Sequence, residues 1–528
     1  MSRPSTVDVM PRRGRSVVDG SSTAAVLPDM IPSSTCDDRH RPLLRRLCRA
    51  LARCWIAAHR SGLSVVRHDV DVGREPRTLA GAVPGGGGSG AMTPVGLLDA
   101  PLIAGPLPTV LSAVGAVGLC VLLARRPRRW WLRHVPICIG TGVLVAVAAG
   151  VAVDVLRPFP DPLPPRVLAW TAVLVSAVGL GCLRWRRGWR QRLVAVAAVA
   201  AVLSLCLVKV NAFYGYRPTL AAALGIPAEN QVDLTSLPPR PLVVAAPHEP
   251  LDRTWRAPTD MPRNGLISAV QIPGTHSHFR ARPAWLYLPP AYLGSQRARL
   301  PVLVLIPGQP GGPEDWLFAG RLAEVMDAFA AAHAGLAPVV VVPDVTGSAL
   351  GNTLCVDSRL GGAETYLAED VPAWLSTALQ VDTSHLAIGG FSFGGTCALQ
   401  LALRRPGTYP TFLDISGQAR PDLGGLQRTI AGAFGGDAAA FARVNPLDEM
   451  RTGRYAGSAG LLVVGRDDDV YRPQAELIAA AAPPSVAVAL WELPGGHSWA
   501  IASEALTRSL AWIGGRTGLL EPTPAVNR

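Results

Sequence analysis

Ser392 stands in the run Gly390-Phe391-Ser392-Phe393-Gly394, followed by Gly395. The apolar stretch Leu386-Ala387-Ile388-Gly389 before it has strand character, and the residues from Phe393 to Arg404 have helical character. A serine between small residues, on a tight turn from strand to helix, is the setting of a nucleophile elbow. The helix N-terminus behind the serine favours negative charge developing there. A serine hydroxyl is a weak nucleophile and needs a base. One histidine follows it in the chain, His497, within Pro494-Gly495-Gly496-His497-Ser498-Trp499. The base needs an acid to fix its tautomer and stabilise the imidazolium. The apolar run Leu461-Leu462-Val463-Val464 leads into Gly465-Arg466-Asp467-Asp468-Asp469. Asp468 is the expected acid, with Asp467 and Asp469 as alternatives. A tetrahedral oxyanion needs two aimed N–H donors. The backbone of Phe393 offers one. Gln309, in the loop Pro307-Gly308-Gln309-Pro310-Gly311-Gly312, offers the other, since Pro310 has no N–H. The chemistry is acyl transfer through an acyl-serine, which calls for neither a metal nor an organic cofactor.

These residues need a common edge on which to meet. Strands are expected at Ala284–Leu288, Val302–Ile306, Val339–Val342, Leu386–Gly389, Thr411–Ile415, Leu461–Val464 and Val486–Glu492. Helices are expected at Asp315–Ala332, Glu364–Leu379, Phe393–Arg404, Arg472–Ala482 and Trp499–Trp512. Short apolar runs alternating with helices indicate an α/β fold with a doubly wound, mostly parallel sheet.

Several of these stretches together resemble the putative esterase family, which includes esterase D-like hydrolases and actinobacterial mycolyltransferases. They are Tyr287-Leu288-Pro289-Pro290, the Pro307-Gly308 loop leading to Trp316, the Ser392 elbow and Gly496-His497-Ser498-Trp499. The resemblance spans about residues 265–512 and implies an α/β-hydrolase fold and a serine esterase or acyltransferase. The His-Ser-Trp stretch is similar to the mycolyltransferase end of the family. Two departures stand out: many members carry His or Asp at the place of Pro307, and the mycolyltransferases usually use Glu as the acid. The expected substrate is an ester or acyl lipid. The alternatives are an envelope acyltransferase and a catalytically silent scaffold.

The first half of the chain is of another kind. Apolar stretches at about Leu102–Ala124, Val135–Val155, Val167–Leu183 and Leu193–Val210 each approach the length that crosses a bilayer as a helix. The first connection carries Arg125, Arg126, Arg128, Arg129 and Arg133, and the third Arg184, Arg186, Arg187, Arg190 and Arg192. The second has only Arg157 and Arg166. Positive loops remain cytoplasmic, so everything after Val210 is expected outside, in a multi-pass protein of the cell membrane. The net charge of +12 is explained by these loops and an arginine-rich composition, so no nucleic-acid partner is expected. Residues 1–97 read as a basic tail without sustained periodicity, with one basic amphipathic stretch at Arg41–His59. Their many arginines fit translocation poorly, and a start at Met92 would leave only a short tail to cross. The expected organisation is tail 1–97, membrane region 98–210, linker 211–264, hydrolase-like domain 265–516 and terminal tail 517–528. After Val210 only Cys355 and Cys397 occur, which suggests one disulfide. His276 and His278 read as loop residues, not as a metal pair. Glu364, Glu369 and Asp370 read as the solvated or capping face of a helix. Sequence leaves the oligomeric state open.

Overall fold

The computed structural model describes residues 96–522, apart from 126, 186–187, 227–229, 246–248, 454 and 456. The basic stretch at Arg41–His59 and the expectation about Met92 lie outside the described residues.

Runs of Val, Ile and Leu form the central sheet. Its strands are β1 Leu266–Val270, β2 Ala284–Leu288, β3 Pro301–Ile306, β4 Val339–Val342, β5 Asp382–Phe391, β6 Thr411–Ile415, β7 Ser458–Gly465 and β8 Val486–Leu493. Their order across the sheet is β8-β7-β6-β5-β3-β4-β2-β1. β1 and β2 pair antiparallel, as do β2 and β4, and all other neighbours are parallel. Alternate residues of each strand enter opposite cores. Val302, Val304 and Ile306 of β3 lie in one, with Ile388 of β5, while Leu303 and Leu305 lie in the other, with Leu413 and Leu461. Both faces are therefore covered, which is why the strand sequences are continuously apolar. This is an α/β-hydrolase fold.

Two sequence expectations need correction here. The single helix expected at Asp315–Ala332 is two, Glu314–Phe318 and Leu322–Ala332, with Arg321 between them in the left-handed region at φ 52°. Glu364 and Asp370 are not solvated: each is 3% exposed. Glu364 is gripped by Arg404 and Arg405, at 2.8 and 3.0 Å. Asp370 accepts the backbone N–H groups of His276 and Ser277 and pairs with His276 Nδ1 at 3.0 Å. Both carboxylates fasten separate chain segments together, a use that local sequence does not announce. Strand β1 was also not anticipated, because its pairing with β2 is set by contact across the sheet.

Cys355 and Cys397 form a disulfide, with Cα atoms 5.4 Å apart across a sequence separation of 42. Closing a loop of that size contributes roughly 3–4 kcal/mol in the chain-entropy account.

Four helices precede the sheet: Pro106–Leu123, Trp130–Leu156, Pro165–Cys182 and Trp189–Tyr214, each long and apolar enough to cross a membrane. A Cβ added at Gly115 would meet Ala201 O at 2.8 Å, and one at Gly118 would meet Ala198 O at 2.7 Å, so the first and fourth helices approach closely at these glycines. Small residues that permit close approach are the usual basis of packing in lipid. The arginine-rich connections lie at one end of these helices. At the other end, Pro101 bridges to Thr219, and Arg428 of the hydrolase fold donates to Leu156 O at 3.0 Å.

Candidate active site

Ser392 sits between β5 and the helix Phe393–Arg404 at φ 58° and ψ −118°, a conformation unfavourable for any residue with a side chain. Its neighbours show what holds it there. A Cβ at Gly390 would meet Gly394 carbonyl atoms at 2.3 Å, and one at Gly394 would meet Ile306 O at 2.2 Å. Ser392 N–H donates to Ile415 O at 2.8 Å. The strain is thus imposed by the close approach of β5, β3 and the helix start.

Asp468, at the carboxyl end of β7, is 4% exposed, whereas Asp467 and Asp469 face solvent. Its Oδ2 lies 3.0 Å from His497 Nδ1, and its Oδ1 accepts Val470 N–H at 3.3 Å and Tyr471 N–H at 3.0 Å. Of the three adjacent carboxylates, Asp468 is therefore the one that meets the imidazole. The loops carrying the two groups are joined by Asp467 N–H donating to Gly495 O at 2.8 Å.

The His497 ring stacks on Phe391 with centroids 4.8 Å apart, and on Tyr471 at 4.2 Å. Since Phe391 immediately precedes the serine, this stacking brings the imidazole beside the elbow. Among the described residues no hydrogen bond joins Ser392 Oγ to the ring; the hydroxyl instead interacts with the Tyr471 phenol. Burial, followed by the nearby Asp161 carboxylate, pushes the Tyr471 phenol far above the ordinary range, so it remains a neutral donor. The sequence reading missed Phe391 and Tyr471 as parts of the site. Their signal was adjacency: one precedes the serine, and the other lies three residues after Asp468.

Phe393 N–H is the first of its helix and has no acceptor within it. The Gln309 loop is held from three directions. Gly311 N–H donates to Ala349 O at 2.9 Å, Arg282 Nη2 donates to Gly311 O at 3.0 Å, and Gly312 N–H donates to Asp315 Oδ2 at 2.8 Å. Arg282 is in turn paired with buried Asp344 at 2.8 Å. Trp316 Nε1 donates to Ile306 O at 2.9 Å, and its ring meets Trp499, which follows the histidine loop, edge-on at 5.3 Å.

Beneath the elbow lies Asp414 of β6, 2% exposed, whose Oδ1 accepts Gly417 N–H at 2.8 Å. Burial pushes its carboxyl up to about 7, partly offset by that hydrogen bond. The folded protein therefore keeps a proton here that the unfolded chain releases at ~3.9. The stabilisation is complete below the unfolded value and is lost as pH rises through about 7. Asp414→Asn retains the acceptor for Gly417 without a group to ionise. It is expected to raise the melting temperature relative to wild type more at pH 8 than at pH 5. Equal shifts at both pH values would refute an ionising Asp414.

The sequence profile of the family described as Putative esterase matches residues 276–513. An uncharacterized protein of Corynebacterium glutamicum is 34% identical over 425 residues, covering 77% of this chain and 94% of its own. The chain is a member of the putative esterase family. It is by family an ester hydrolase, with four apolar helices suited to membrane association. Among solved structures, an S-formylglutathione hydrolase of Agrobacterium tumefaciens is 19% identical, covers 48% of this chain and 97% of its own, and gives a TM-score of 0.42. MPT51 of Mycobacterium tuberculosis is 16% identical, covers 44% of this chain and 93% of its own, and gives 0.31.

Proposed function

We propose that this esterase-family protein is a serine carboxylic-ester hydrolase of the membrane's outer face, acting through Ser392, Asp468 and His497. The observation carrying the reading is the buried Asp468 bonded to His497 Nδ1, with the imidazole stacked on the residue preceding Ser392. With Nδ1 engaged, Nε2 is left to accept the serine proton. Ser392 Oγ attacks the ester carbonyl as His497 takes its proton. The N–H groups of Phe393 and Gln309 bind the oxyanion. His497 returns the proton to the leaving alcohol as the C–O bond breaks, leaving an acyl-serine. Water, deprotonated by the same imidazole, attacks next and releases the acid. No metal or organic cofactor enters any step.

In this reading residues 98–210 are the membrane region and 265–516 the catalytic domain, joined by 211–264 and followed by a short tail at 517–528. Arginine loops at the far end of the helices support a catalytic domain outside the cytoplasm. A mouth near the bilayer favours an acyl-lipid or envelope ester as substrate. A membrane-impermeant fluorophosphonate is expected to label the wild-type protein on intact cells and not Ser392→Ala. Labelling that requires lysis would overturn the orientation. Product analysis with and without a sugar acceptor separates hydrolysis from acyl transfer.

A further inference from the structure

We infer that the membrane region is part of the active site, with Asp161 and Tyr216 as positioning residues for the base and for the oxyanion loop. The inference rests on the proposed roles of Ser392, His497 and Gln309. Asp161 is the single acid in the connection between the second and third apolar helices, Arg157-Pro158-Phe159-Pro160-Asp161-Pro162-Leu163-Pro164. Its Oδ2 accepts the hydrogen bond of Tyr471 Oη at 2.5 Å, across 310 residues of sequence. Tyr471 is 3% exposed, stacks on the His497 ring and interacts with the Ser392 hydroxyl. Asp161 thereby fixes the ring against which the imidazole lies.

Tyr216, two residues beyond the fourth helix, makes the matching contact on the other side of the site. Its hydroxyl donates to Asp315 Oδ1 at 2.5 Å. The second oxygen of Asp315 holds Gly312 N–H, and a Cβ at Gly311 would meet that oxygen at 2.2 Å. Asp315 therefore clasps the loop that carries Gln309, and Tyr216 orients the clasp. A tether needs only a covalent linker. Here two juxtamembrane polar groups each end on a buried side chain whose other contact belongs to the catalytic machinery. Arg157 reinforces the arrangement by packing on Gly424, where an added Cβ would meet its side chain at 2.9 Å.

The test uses the full-length protein in nanodiscs with p-nitrophenyl butyrate, a soluble ester that needs no membrane delivery. Active sites are counted by fluorophosphonate titration. Asp161→Ala and Tyr471→Phe are each expected to lower kcat by about 10-fold while KM moves less than about twofold. The double variant should fall no further than either single one, as for residues acting through one contact. Asp161→Asn, which keeps an acceptor, should recover most of the loss. Tyr216→Phe should lower kcat to a similar extent, and Asp154→Ala, at an exposed position on the second helix, should match wild type. Wild-type kcat per titrated site in both Asp161→Ala and Tyr216→Phe overturns the inference. So does an Asp161→Ala loss confined to the number of folded sites. Ser392→Ala is assayed in parallel. If it still turns over the ester, the triad reading has failed; if it is inactive while Asp161→Ala and Tyr216→Phe are unimpaired, only the positioning role has failed.

Discussion

Ser392→Ala is expected to lower kcat/KM for ester hydrolysis by about ten-thousand-fold or more and to abolish fluorophosphonate labelling. Removing the nucleophile eliminates the covalent route and leaves only binding and oxyanion stabilisation to assist water. The substitution is a clean probe because the serine side chain contributes little to the fold. It makes no cap hydrogen bond to the helix it precedes, and the backbone at φ 58° is as unfavourable for alanine as for serine. The melting temperature should stay within a few degrees of wild type, so the loss is chemical. Stoichiometric labelling or near-normal turnover by the variant would show that another residue is the nucleophile.

Asp468→Asn is expected to lower kcat by roughly ten-thousand-fold, while Asp467→Asn and Asp469→Asn remain within about twofold of wild type. The amide still accepts the N–H groups of Val470 and Tyr471, so the turn after β7 should survive. At Oδ2, however, an NH₂ group facing His497 donates where the carboxylate accepted. That selects the tautomer with its proton on Nε2, which cannot receive the serine proton. The imidazolium also loses its counter-charge. Comparing kcat among the three variants at one pH, with melting curves to confirm folding, checks the claim. A collapse in Asp467→Asn or Asp469→Asn with Asp468→Asn active would reassign the acid.

The sequence alone marked seven of the eight strands of the central sheet, the elbow and the histidine proposed as the base, because each is written locally. Val302–Ile306 and Val339–Val342 are apolar at every position, which suits a strand buried on both faces. Gly390, Gly394 and Gly395 announce a turn too tight for larger residues, and a single histidine follows Ser392. The four apolar helices are legible because hydrocarbon thickness fixes their length. Tertiary structure decided what depends on burial and distant approach. Three adjacent aspartates are equivalent as a string; the turn after β7 buries one against His497 and leaves two in water. Glu364 and Asp370 read as helix-face acids until Arg404, Arg405 and the loop at His276 close over them. The contacts of Asp161 with Tyr471 and of Tyr216 with Asp315 have no local signature. Hydrogen bonds between groups 99 and 310 residues apart constrain neither periodicity nor composition, so only the folded chain reveals that the ends of the apolar helices reach the edge of the sheet that carries the candidate site.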